Sequence, residues 1–185
     1  SDSSIIIMKE LSLVLACVLA PAFAANAANV AFVSYASADD MPGPDAVGVG
    51  LVRAPDLGYT DLLKANGHSV TRIETSNSPD VGLLNTFDLV IVSRSINSGH
   101  YNNGDPSAAW NSVTTPTMQL GGYQLRNSRL NYTDGGTMVD TAGPISLSVN
   151  NPSHPIFAGI TLDVDNTVPY SVGLVNANAF AEVAG

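Results

Sequence analysis

The sequence predicts an α/β domain on a flavodoxin-like, doubly wound and mostly parallel sheet, with a β-hairpin excursion near the C-terminus. Three observations predict it. Within residues 87–95, Leu89, Val90, Ile91 and Val92 form an aliphatic run with no polar alternation, so both faces of that strand must be covered, as in a parallel sheet between helices. Two more strand-like runs, 29–35 and 68–74, precede it, and the segments between them carry helical patterns instead of two-residue turns. Such crossovers are right-handed, and the expected strand order is 2-1-3-4.

The N-terminal part is read separately. From Met8 the chain runs M-K-E into a short apolar core, 11–23, closed by the small residues Ala22-Phe23-Ala24 and Ala25-Asn26-Ala27, the build of a secretory signal peptide. That core is too short to span a bilayer. Residues 1–28 are therefore assigned to upstream sequence and signal, 29–185 to the α/β domain, and the protein is expected to be secreted or periplasmic.

Cys17, the one cysteine, falls inside the signal. Its removal excludes disulfides, thiolate catalysis and cysteine metal sites. The net charge of −9 argues against nucleic acid or an anionic membrane surface as partner. No cofactor and no metal are expected, because no spacing here matches a metal-binding loop.

Taken in order, 29–35 (N-V-A-F-V-S-Y) reads as a buried first strand. Residues 36–54 hold Asp39, Asp40, Pro42, Gly43, Pro44, Gly48 and Gly50, a long loop expected to hang over the site. The first helix sets Leu57 or Tyr59 against Leu62 and Leu63, and Asn66-Gly67 supplies its left-handed stop. Val70 and Ile73 mark the second strand, and Ser78-Pro79 an N-cap for a helix over 80–85.

Asp105-Pro106 starts another helix, whose Trp110 is expected to pack on the sheet. Residues 116–120 form a fourth strand and turn sharply through Gly121-Gly122 into a helix, leaving backbone amides accessible. Beyond Arg129 the texture becomes turn-rich, and Ile145-Ser146-Leu147-Ser148-Val149 alternates as an antiparallel strand.

The pieces V-A-F-V-S-Y, D-L-L-K-A-N-G-H-S-V, F-D-L-V-I-V-S, T-P-T-M-Q-L-G-G-Y and N-P-S-H-P-I-F-A-G-I, in that order, resemble the class I glutamine amidotransferase-like fold. The nearer likeness is to its ThuA-like (trehalose-utilisation) branch, carried by His154-Pro155-Ile156 with Gly159, and it covers residues 29–160. In the amidotransferases the resemblance implies a nucleophilic cysteine at the strand-to-helix turn, served by a downstream histidine and glutamate. Gly121 and Gly122 stand at that turn here, and no His-x-Glu follows, so glutaminase chemistry is not expected. A complete domain of this kind continues past the His-Pro-Ile segment, so the chain reads as truncated at its C-terminus.

The carboxyl edge of the sheet is the expected site. Arg94 and Ser95 follow the central strand, and the arginine fork suits a carboxylate, phosphate or sugar hydroxyl; the competing reading pairs Arg94 with Asp39 or Asp40. Tyr35, Tyr101 and Tyr123 fall at or beyond strand ends, where rings can stack on sugars or close the core. The expected ligand-binding set is Tyr35, Asp39, Asp40, Arg94, Ser95, Gly121, Gly122 and Tyr123. His100 and Asp39 are the candidate bases; His68 and His154 read as capping or packed residues.

Three functions follow as expectations. The first is an exported, catalytically silent domain binding a small polar, carbohydrate-like ligand. The second is a hydrolase or isomerase of a sugar-like substrate, with His100 or Asp39 as base and Arg94 in support. The third is a structural or interaction module of a larger surface protein.

Overall fold

The computed structural model describes residues 27–137, 139–142, 144–171 and 176–179; the signal-like segment 1–26 lies outside them. Its centre is β1, Asn29–Ser34, which pairs in parallel with β2, Ser69–Glu74, on one side and β3, Leu89–Val92, on the other. A short β4, Thr117–Gln119, adds to the far side of β3, also parallel. The order β2-β1-β3-β4 is the one the alternating pattern calls for.

Side-chain alternation along β1 divides the core in two. Ala31 and Val33 join Val90, Val92, Leu84, Tyr101, Trp110 and Leu130 on one face. Val30 and Phe32 join Ile91 on the other, with Leu63, Val70 and Leu120 packed against them. Each buried Val, Leu, Ile or Phe contributes roughly 1.5–3 kcal/mol. A strand apolar at every position is the direct cause of helices on both faces.

Helices α1, Pro44–Gly48, and α2, Leu57–Ala65, come first in the chain, and the first face is covered by α3, Val81–Leu84, and α4, Asp105–Asn111. Trp110 packs on the sheet as expected. Its ring stacks on Tyr101 at 4.8 Å, and its Nε1–H donates to Ser76 O at 3.0 Å. Pro106 opens α4 and Gly67, at φ +86°, follows the end of α2, both as their residue types dictate.

Three local expectations are corrected. The cap of α3 is Asp80, whose side chain accepts from Leu83 N–H at 2.9 Å; the helix therefore starts later than Ser78-Pro79 suggests. In α2 Leu63 packs on the core and the half-exposed Tyr59 ring stacks on Phe32, while Leu62 stays exposed and Thr60 is buried. The reason is polar: Thr60 Oγ1 donates to Asp39 Oδ1 at 2.8 Å, turning that face of the helix toward a charged cluster.

Third, the antiparallel excursion expected in the turn-rich C-terminal part is present, but as two strand pairs. β6, Ile145–Ser148, pairs with β7, Thr167–Ser171, and β5, Val139–Ala142, with β8, Asn176–Ala179. The His-Pro-Ile segment lies between β6 and β7 as a 3-10 turn, Pro155–Phe157, and His154 Nδ1 accepts from Ile156 N–H. His154, expected as a packed and hydrogen-bonded ring at this turn, makes the hydrogen bond but is exposed.

Candidate functional site

The carboxyl ends of β1 and β3 lie side by side, with Val33 opposite Val92. The chain adds β2 on one side of β1 and crosses back to add β3 and β4 on the other, so the strand order, not the strand direction, switches between β1 and β3, and such a point ordinarily opens a crevice for ligand. Here it is filled from within. Asp56, the N-cap residue of α2 and 5% exposed, accepts from Ser34 Oγ at 2.7 Å and from Ser93 Oγ at 2.5 Å.

The charge of Asp56 is met by Arg72 on β2, whose Nη2 lies 2.9 Å from Asp56 Oδ1. The guanidinium also sits 5.1 Å from the Phe32 ring centroid and donates from Nε to Asp39 Oδ1. Lys64 completes the cluster on the other oxygen of Asp39. Burial pushes the Asp39 carboxyl up, but hydrogen bonds from Lys64, Arg72 and Thr60 outweigh it and hold the pKa at about 2.

Asp39, expected as a base or ligand contact, is held here in ion pairs that tie the loop to α2 and β2. Arg94 does not pair with it. Asp40 is exposed. The long loop is anchored twice more: Ala54 N–H donates to Asp39 O at 3.2 Å, and Gly43 presses on Tyr35 so closely that a Cβ there would lie 2.9 Å from Tyr35 O. Only glycine fits that approach.

Tyr35 and Ser95 join the ends of β1 and β3 directly, through Tyr35 N–H to Ser95 O at 2.7 Å. The Tyr35 ring meets His100 edge-on, with centroids 6.2 Å apart. His100 lies in a 3-10 turn, Ser98–Tyr101, and its Nδ1 is buried with no hydrogen-bond partner. Among the described residues no hydrogen bond orients the ring through Nδ1.

The open space lies one strand further on, between the ends of β3 and β4. A cavity of about 70 Å³ is lined by Arg94, Ile96, Ser98, Gly121, Tyr123 and Gln124. Arg94, Gly121 and Tyr123 are the sequence-predicted residues that converge on it; Tyr35, Ser95 and His100 belong to the neighbouring strand end. The close approach at Gly121 is steric, since a Cβ would meet Gln124 Oε1 at 3.0 Å and Arg94 Cα at 3.5 Å.

Ile96, Ser98 and Gln124 are the lining residues that pattern reading missed. Gln124 is 1% exposed and donates from Nε2 to Gln119 Oε1 at 3.1 Å. A glutamine straight after Gly-Gly-Tyr, where a helix was expected, is the one signal for it. That turn in fact holds a three-residue 3-10 segment, Tyr123–Leu125, and both glycines are buried, so the accessible amides expected there are not a feature of the site.

Two guanidiniums share the Tyr123 ring. Arg94 Cζ lies 5.9 Å and Arg126 Cζ 5.1 Å from its centroid, and Arg126 is oriented by donation from Nε to Tyr123 O at 2.8 Å. Both guanidiniums thus lie within cation–π range of one ring, which restrains them. Among the described residues no group of three or more His, Cys, Asp or Glu gathers as metal ligands would, and no helix is long and apolar enough to cross a membrane. No protein-family model, curated protein or solved structure matches the chain.

Proposed function

We propose that the chain is an exported, catalytically silent binding domain that takes a small polar, carbohydrate-like ligand at the carboxyl edge of its parallel sheet. On this reading the flavodoxin-like frame is that of an amidotransferase-like, ThuA-like domain whose nucleophile position is occupied by Gly121-Gly122. The observation that carries it is the cavity between the ends of β3 and β4, where an arginine, a serine, a tyrosine and a glutamine meet. Polar groups converging on a concave sheet edge are the usual composition of a small-molecule site.

The volume refines the reading. Ligand pockets that enclose a whole small molecule measure roughly 300–1,000 Å³. A cavity of about 70 Å³ seats one functional group and leaves the remainder of the ligand on the open surface. Asp39 is committed to ion pairs and no hydrogen bond among the described residues orients His100 through Nδ1, so neither favours turnover over binding.

Titration calorimetry of the full chain against a panel of sugars, sugar acids and polyols tests this. Heat is expected with at least one member, and Tyr123→Ala should reduce that affinity at least tenfold. Silence across the panel would refute the proposal.

A further inference from the structure

We infer that the ligand at this edge carries a carboxylate, received by the guanidinium groups of Arg94 and Arg126 that share the Tyr123 ring. The inference rests on the binding reading above and narrows it from polar molecules in general to acidic ones.

Charge bookkeeping points there first. The chain holds 16 acidic and 7 basic residues, so carboxylates outnumber cations more than twofold. The ion pairs among the described residues nevertheless all involve Lys64 and Arg72, with Asp39 and Asp56. Arg94 and Arg126 meet no carboxylate among those residues. A third cation lies close by: burial, and then the charge of Arg126, lower the pKa of Arg129. Arg129 Nε is buried with no hydrogen-bond partner among the described residues.

Like charges gathered in an acidic chain raise its free energy unless an anion joins them. The anion's shape follows from the donors. A stacked guanidinium presents a planar fork, and a carboxylate answers it with two parallel acceptors. Its size follows from the cavity, which Arg94 lines and Arg126 adjoins through the shared Tyr123 ring: about 70 Å³ accepts a single carboxylate group. A neutral sugar would leave both cations uncompensated.

The test is an amide chemical-shift titration of the full chain with glucuronate, glucose and inorganic phosphate, each at matched ionic strength. Glucuronate is expected to bind at least tenfold tighter than glucose, shifting the amides of Gly121, Tyr123 and Gln124. Arg94→Gln and Arg126→Gln should each cut glucuronate affinity about tenfold and leave glucose unchanged, while Arg94→Lys retains part of the preference and controls for folding. Equal binding of glucose and glucuronate at those amides would overturn the carboxylate inference and leave the binding reading standing. Tighter binding of phosphate than of glucuronate would overturn it too, and no shift with any of the three would remove both.

Discussion

Arg72 Nη2 and Asp56 Oδ1 meet at 2.9 Å beneath the sheet edge, yet neither atom has an aligned hydrogen-bond partner among the described residues. The contact is therefore electrostatic: Arg72, its side chain 6% exposed, neutralises an aspartate that two serine hydroxyls already solvate. This cluster closes the crevice between β1 and β3 and moves the open site to β3 and β4.

Removing Arg72 leaves Asp56 as an uncompensated buried charge. Loss of one partner of such a pair costs about 3–5 kcal/mol. Arg72→Met is expected to lower the urea-unfolding free energy by about that much. Lys64→Met, at a side chain 47% exposed, should change it by less than about 1 kcal/mol. Equal effects from the two substitutions would contradict the assignment of Arg72 as the neutralising group.

Asp39 gives the cluster a pH dependence of fixed sign. Its folded pKa, about 2, lies below the usual aspartate value of 3.8. A depressed carboxyl contributes stability that is fully present above its unfolded pKa and is lost as pH falls through the folded one. Stability should decline between about pH 4 and pH 2, by about 1 kcal/mol for this group because solvent screens it. In Asp39→Asn that part of the acid limb should flatten; an unchanged limb would show that other groups carry it.

Gly121 tests the cavity by volume. A Cβ there meets Gln124 Oε1 at 3.0 Å, and Gln124 has little room to move because it is buried and bonded to Gln119. Gly121→Ala is expected to cost about 1 kcal/mol through overpacking and to weaken ligand binding at least fivefold. Gly48, at the end of α1, has nothing within 4 Å of its added Cβ, so Gly48→Ala should stabilise by about 0.5 kcal/mol. Melting curves of both variants, with a ligand titration of the first, decide the matter.

The sheet was legible because its signal is local. Leu89 to Val92 carry no polar residue, and nothing but burial on both faces accommodates that. The charged cluster was not legible, since Asp39, Asp56, Lys64 and Arg72 come from the loop, α2 and β2, and no short-range pattern records their meeting. The same limit explains the site. Arg94, Gly121 and Tyr123 stand beside strand ends and could be read from position. Ser98 and Gln124 sit in 3-10 turns, which have no periodicity to betray them.

Tyr101 separates two contributions that oppose each other above neutral pH. Its ring is fully buried against Trp110, and its hydroxyl accepts from Thr75 Oγ1 at 3.1 Å. Tyr101→Phe should cost about 1 kcal/mol at neutral pH, because a buried threonine hydroxyl loses its partner. Burial pushes the phenol up, although the Thr75 hydrogen bond pulls it back in part. A raised pKa confers stability that is complete below the unfolded value of about 10 and is lost as pH climbs beyond it. The wild-type chain should therefore lose stability above about pH 10 faster than Tyr101→Phe, and their melting temperatures should converge there. Parallel curves through that range, with the neutral deficit retained, would mean that the phenol ionises without unfolding the core.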